Sequence, residues 1–128
     1  LDTIMPGFSA SDFGDAIRSY TNTGAEDDRD LSRVGMDIDI FRAYAEGYLS
    51  ERKESLTESE VDWLAFSALY ITYEQVLRFL MDYIDGDKYY KITSADLNLV
   101  RTHAQYRLLT SMESQYTAMR QIIGELVG

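Results

Sequence analysis

The stretch "LTESEVDWLAFSALYITYEQVLRFLMDYIDG" limits this chain more than any other segment does. Thr57 is followed three residues later by Glu60, the spacing of a capping box. In that motif a hydroxyl and a carboxylate each take up one of the backbone N–H groups that a helix start leaves unpaired. An apolar run follows with no Pro or Gly before Gly86, which predicts one long helix to about Tyr83, stopped at Gly86. Val61, Leu64, Ala65, Ala68, Leu69, Thr72, Tyr73 and Val76 form one stripe, while Phe66, Tyr70, Leu77 and Met81 occupy other sides. A helix apolar nearly all round is expected to be buried on more than one side.

The neighbouring segments read the same way. Met5-Pro6-Gly7 marks a turn, and a short helix is expected from Ser11 or Asp12 to about Tyr20. "TNTGAEDDRDLSRVG" reads as a long solvated loop. Ile38, Phe41, Tyr44, Ala45 and Tyr48 recur at helical spacing and predict an amphipathic helix over 37–50. A last helix is expected from Ser94 to Leu126, with Leu97, Val100, Ala104, Leu108, Ser111, Gln115, Met119, Ile122 and Leu126 inward. Apart from "YYKIT", a candidate for one short extended piece, nothing alternates like a strand. The fold class is all-α, and residues 1–128 form a single helical domain, long enough for a core of its own.

Charge and composition exclude several functions. A net charge of −10 repels phosphate backbones, which argues against nucleic acid as a partner. No apolar run approaches the length of a membrane span, and no signal-peptide pattern is present, so no membrane association is expected. The chain has no Cys, which removes disulfides, thiolate metal sites and a Cys nucleophile, and fits a cytoplasmic location.

Two charges interrupt the most apolar part of the long helix. Glu74 and Arg78 stand four residues apart, on one helical face, with the acid N-terminal. Buried charges require partners, because unpaired burial is costly. One reading is a satisfied ion pair that fixes packing. The other is a cleft in which the fixed donor fork of Arg78 holds an oxygen-rich ligand, with Tyr89 or Tyr90 of "DGDKYY" brought close by.

Other motifs carry less. "DGDKYYKITSAD" has the outline of an EF-hand loop from Asp85 to Asp96, but Tyr90 stands where the sharp turn requires Gly and Tyr89 replaces a ligand. His103 is the single histidine and has no second His or Cys with which to share a metal. No nucleophile-elbow pattern supports Ser–His–acid catalysis, and "SDFGD" lacks the catalytic loop and "APE" element that would make it a protein-kinase signature.

Taken together, "LDTIMPG", "DFGDAIR", "TGAEDD", "TYE..LRFL.DY..GD.Y" and "R..QYRLL.S.E.Q" cover almost the whole chain. In these it resembles the C-terminal part of the aminoglycoside phosphotransferase/choline kinase-like family, in particular the N-acetylhexosamine 1-kinases, some of which are also named mucin-desulfating enzymes. The resemblance implies the C-terminal helical subdomain of a kinase-like fold, with residues 1–10 a remnant of the metal-site loop. It further implies that the metal-binding Asp, the catalytic-base loop and the ATP lobe precede Leu1, and that this chain alone is inactive. ATP and Mg²⁺ would be cofactors of the full-length enzyme, with none bound to this part. In such an enzyme a catalytic-loop Asp positions the sugar 1-hydroxyl and Mg²⁺ neutralises the γ-phosphate, so catalysis is mostly positioning and electrostatics. By the same resemblance, Arg78 and Tyr89 match positions that contact sugar hydroxyls and the N-acyl group. Asp2 falls beside the metal site without being its principal ligand, and Asp12 and Asp15 brace the metal loop and helix. Ser19 departs from the bulky residue expected after "AIR", which leaves the preferred hexosamine open.

Two other readings stand beside this one. Sulfatase chemistry, suggested by the family's second name, needs a Cys or Ser in a C/S-x-P-x-R context, and the single Pro6 lies in "IMPGF". A non-catalytic helical interaction module would also account for the missing catalytic parts. If the chain is a fragment, an apolar face should lie exposed and invite self-association.

Overall fold

In the structure, a computed structural model that describes residues 6–52 and 54–128, the long capped segment is the axis on which the rest packs. Among the described residues five helices run in order: α1 (Pro6–Tyr20), α2 (Ile38–Arg52), α3 (Glu58–Ile84), α4 (Leu97–Ser114) and α5 (Tyr116–Val127), with a 3-10 turn at Leu31–Arg33. The capping box forms as expected: Glu60 N–H donates to the Thr57 hydroxyl at 3.2 Å, and Thr57 N–H to the Glu60 carboxylate at 2.7 Å. Helices α1 and α4 both lie along α3, while α5 packs mainly on α2 and also touches α3. The fold is all-helical, and among the described residues the only extended pairing is an isolated bridge between Asn22 and Met36.

The core draws on all five helices and on Val34 and Met36 of the loop between α1 and α2. Phe13, fully buried, sets its ring edge-on to Phe41 at 6.0 Å and to Tyr48 at 5.0 Å. Next to it Gly14 is a close-approach position: a Cβ there would lie 2.6 Å from the Ser67 carbonyl oxygen. The Phe-Gly pair of "SDFGD" is thus a packing element in the middle of α1.

Three boundaries differ from the sequence reading. The first helix starts at Pro6 rather than at Ser11 or Asp12, because proline's fixed φ and missing N–H suit the first helical turn. The long loop is pinned rather than loosely solvated. Thr23 N–H reaches Gly35 O, Asp37 N–H reaches Thr21 O, and Met36 N–H donates to the Ser111 hydroxyl of α4. The last helix is two: Gln115 adopts φ −110°, ψ 8°, and its amide donates to Met36 O at 2.9 Å. That break lets Met119, Ile122 and Ile123 of α5 fold into the core. "YYKIT" does not form a strand.

The expectation that α3 is buried on more than one side also fails. One stripe is buried, through Leu64, Ala65, Ala68, Thr72 and Val76. Trp63, Phe66, Tyr70, Tyr73, Leu77 and Met81 remain exposed. Two flanking helices and α5 cover only one side of a 27-residue helix that is apolar all round.

Candidate functional site

The end of α3 is where the sequence's suspicion about Arg78 can be examined. Beyond Ile84 the chain turns through Gly86 at φ 93° and Asp87 at φ 61°, the left-handed conformation that Gly adopts freely and Asp tolerates. Asp87 N–H donates back to Asp82 O at 2.7 Å, a bond spanning five residues that resembles a Schellman closure. The reversal brings Tyr89 and Tyr90 back beside the helix they have just left.

A buried carboxylate holds them there. Asp82 accepts the backbone N–H of Tyr89 at 2.7 Å, that of Tyr90 at 2.9 Å and the Asn98 side-chain amide at 2.8 Å. Burial pushes the Asp82 carboxyl up, but these donors together with Lys88 N–H outweigh it and hold it below the ordinary carboxylate value. Asn98, itself fully buried, donates also to Asp87 and accepts from Arg101, whose guanidinium lies over the Phe79 ring and donates to Lys91 O. Tyr90 packs on Phe79 at 4.8 Å and its hydroxyl accepts from Gln75, so it is anchored. Tyr89 sits edge-on to Tyr90 and is 79% exposed.

Arg78, Met81, Asp82, Asp85, Tyr89 and Tyr90 line one open groove of about 310 Å³, near the lower end of the ~300–1,000 Å³ usual for small-molecule sites. Glu74 and Arg78 do not form the ion pair that was one of two readings of their spacing. Among the described residues neither has a hydrogen-bond or ionic partner, and Arg78 is exposed. Arg78 therefore brings a donor fork, Asp85 a carboxylate and Tyr89 a phenol to the lining of one groove. The groove is a mixed donor, acceptor and aromatic surface, which suits a neutral polyhydroxylated ligand better than an anion.

The other candidates lie apart from this groove. Asp2 is outside the described residues. Asp12 is exposed, and Asp15 pairs with Arg18 at 3.1 Å, which also reaches Glu26 and Gln105. Asp96 is gripped by both terminal nitrogens of Arg29, which hold its carboxyl well below the usual range. Its carboxylate oxygens are thus engaged by Arg29 and Ser94. His103 is exposed beside Asp28 and Arg29. Among the described residues no three His, Asp or Glu side chains gather closely enough to hold a metal ion, and no helix is long and apolar enough to cross a membrane. Sequence reasoning missed the Asp82–Asn98–Arg101 clamp. Its signal was present in Asp82, an acid on the buried side of α3 four residues before the Gly86 stop. No family model matches the chain.

Proposed function

We propose that this chain is the sugar-binding helical portion of an ATP-dependent phosphotransferase acting on the 1-hydroxyl of an N-acetylhexosamine. The observation that carries the proposal is one groove lined both by Arg78, which has no hydrogen-bond or ionic partner among the described residues, and by the exposed Tyr89. These are the two residues that the sequence resemblance assigns to sugar hydroxyls and the N-acyl group. In this reading Arg78 donates in its planar fork to a ring hydroxyl and the acyl oxygen. Tyr89 supplies an aromatic edge and a hydroxyl, and Asp85 accepts from a further hydroxyl. The described residues offer no carboxylate cluster for Mg²⁺, and the sequence has no Gly-rich phosphate loop, so no phosphate-transfer step is assigned to any residue of this chain.

The test is a titration of the isotope-labelled chain with N-acetylglucosamine, followed by amide chemical shifts. Saturable shifts centred on 78–90, abolished by Arg78→Ala and weakened by Arg78→Lys, are expected. Shifts absent from this segment, or unchanged by Arg78→Ala, would overturn the assignment. A second reading, a non-catalytic helical interaction module, is favoured by one specific observation: the uncovered apolar side of α3.

A further inference from the structure

Asn98 stands in the first turn of α4, fully buried, and is not among the residues that line the groove. Its side-chain nitrogen donates to two carboxylates, Asp82 at 2.8 Å and Asp87 at 3.0 Å, while its oxygen accepts from Arg101 at 2.9 Å. Both amide hydrogens and the carbonyl are thus occupied. The same partners fix which way the amide points. Reversed, it would set an oxygen against two carboxylates and a nitrogen against a guanidinium.

Two consequences reach the groove. Sharing one nitrogen keeps the Asp82 and Asp87 oxygens within about 6 Å of each other, where like charges oppose one another unless donors stand between them. Asp87 also holds a φ of 61°, the left-handed conformation that a non-glycine residue enters at a cost. Asn98 offsets both by giving each carboxylate a donor and tying the strained residue to α4. The Asp82 carboxylate held in this way is the one that receives the N–H groups of Tyr89 and Tyr90. One turn further along α4, Arg101 fixes the far end of the segment through Lys91 O at 3.1 Å.

We propose that Asn98 is the positioning residue of the groove: without touching a ligand, it sets the turn that carries Tyr89 against α3, and with it the place of the phenol relative to Arg78. The inference rests on the reading of this groove as a sugar site and adds the element, α4, that fixes the site from outside. Arg78 and Asp85 are carried by α3 and its C-cap. Tyr89 comes after the reversal, so its place depends on what holds the turn. A group that binds a ligand has to be kept within about 0.5 Å of its productive position, which a supporting shell of locked side chains provides.

Hydrogen exchange and the N-acetylglucosamine titration, run on the same labelled variants, test this. Asn98→Ala removes the bridge. Asn98→Asp keeps the shape and the acceptor for Arg101 but exchanges both donors for a third carboxylate. In each variant the Tyr89 and Tyr90 amides should exchange about tenfold faster or more, with protection around Phe13 and Phe41 unchanged. N-acetylglucosamine should bind each about tenfold more weakly. Adding Asp87→Gly to Asn98→Ala should restore part of both, since glycine takes this φ freely and one of the two carboxylates is gone. An Asn98 that only filled space would leave Asn98→Asp like the native chain, and that result would overturn the proposal. Fast amides with undiminished sugar affinity would overturn it equally. If the native chain binds no N-acetylglucosamine while both variants still loosen Tyr89 and Tyr90, the sugar reading falls and Asn98 keeps its role in placing Tyr89.

Discussion

The Cα of Gly14 lies so close to Ser67 that a single added methyl would sit 2.6 Å from the Ser67 carbonyl and 2.8 Å from its hydroxyl. The obstruction is backbone of α3, not the flexible end of a side chain, so relief requires the two helices to move apart. Such overpacking usually costs about 1–3 kcal/mol. Gly14→Ala is therefore expected to lower the denaturation midpoint clearly, although alanine is the better helix former. An unchanged or raised urea midpoint would show that α1 and α3 are not in this register.

Phe13 predicts a larger loss. Its ring is fully buried among Phe41, Tyr44 and Tyr48 of α2, and removing it leaves a cavity against those three rings. Phe13→Ala should destabilise the chain by about 3–5 kcal/mol, and Phe13→Leu by clearly less. Chemical denaturation of the three proteins checks the order. Equal stability of the alanine and native chains would remove Phe13 from the core.

The chain alone is expected to leave ATP intact, because the resemblance puts the metal-binding Asp, the catalytic-base loop and the ATP lobe before Leu1. The Asp-Phe-Gly triplet present here does not replace them. The Asp12-Phe13-Gly14 triplet stands mid-helix, with Phe13 and Gly14 turned to packing and Asp12 exposed. Incubation with N-acetylglucosamine, ATP and Mg²⁺ should release no ADP above background. Turnover at the ~1–100 s⁻¹ common for kinases would refute this and show a catalytic centre within these residues.

What was legible in the sequence follows from how local each signal is. The capping box at Thr57 and Glu60, the buried stripe of α3 and the amphipathic α2 depend on spacing within a few turns, and each is found in the structure. The break at Gln115 is invisible locally, because the residue is an ordinary helix former and the pull comes from Met36, 79 positions away. The open side of α3 was misjudged for a related reason: apolarity all round shows that a helix wants cover but not whether the chain supplies it. At the groove, Arg78 and Tyr89 were both named from the sequence, and the structure lines one groove with them. The carboxylate that holds the turn in place was not, because Asp82 matters through the backbone amides of a turn rather than through a motif.

Asp82 supplies the last prediction. Its carboxyl is held below its ordinary value of 3.8, burial opposing and the amides of Tyr90 and Tyr89, the Asn98 side chain and Lys88 N–H prevailing. A group with a depressed folded pKa stabilises the fold fully above its unfolded value, and that contribution is lost as pH falls through the folded one. Below about pH 4 the turn at 85–90 should therefore loosen, and hydrogen exchange at the Tyr89 and Tyr90 amides should quicken ahead of that in the body of α3. Asp82→Asn keeps the shape but replaces an acceptor oxygen with a donor facing backbone N–H groups, so those amides should exchange fast already at neutral pH and lose their acid dependence. The groove around Arg78 should lose its definition at the same time, while the far end of the fold, around Phe13 and Phe41, keeps its protection. If the Tyr89 and Tyr90 amides stay protected in Asp82→Asn, or show the same acid dependence as before, the carboxylate is not what holds the turn.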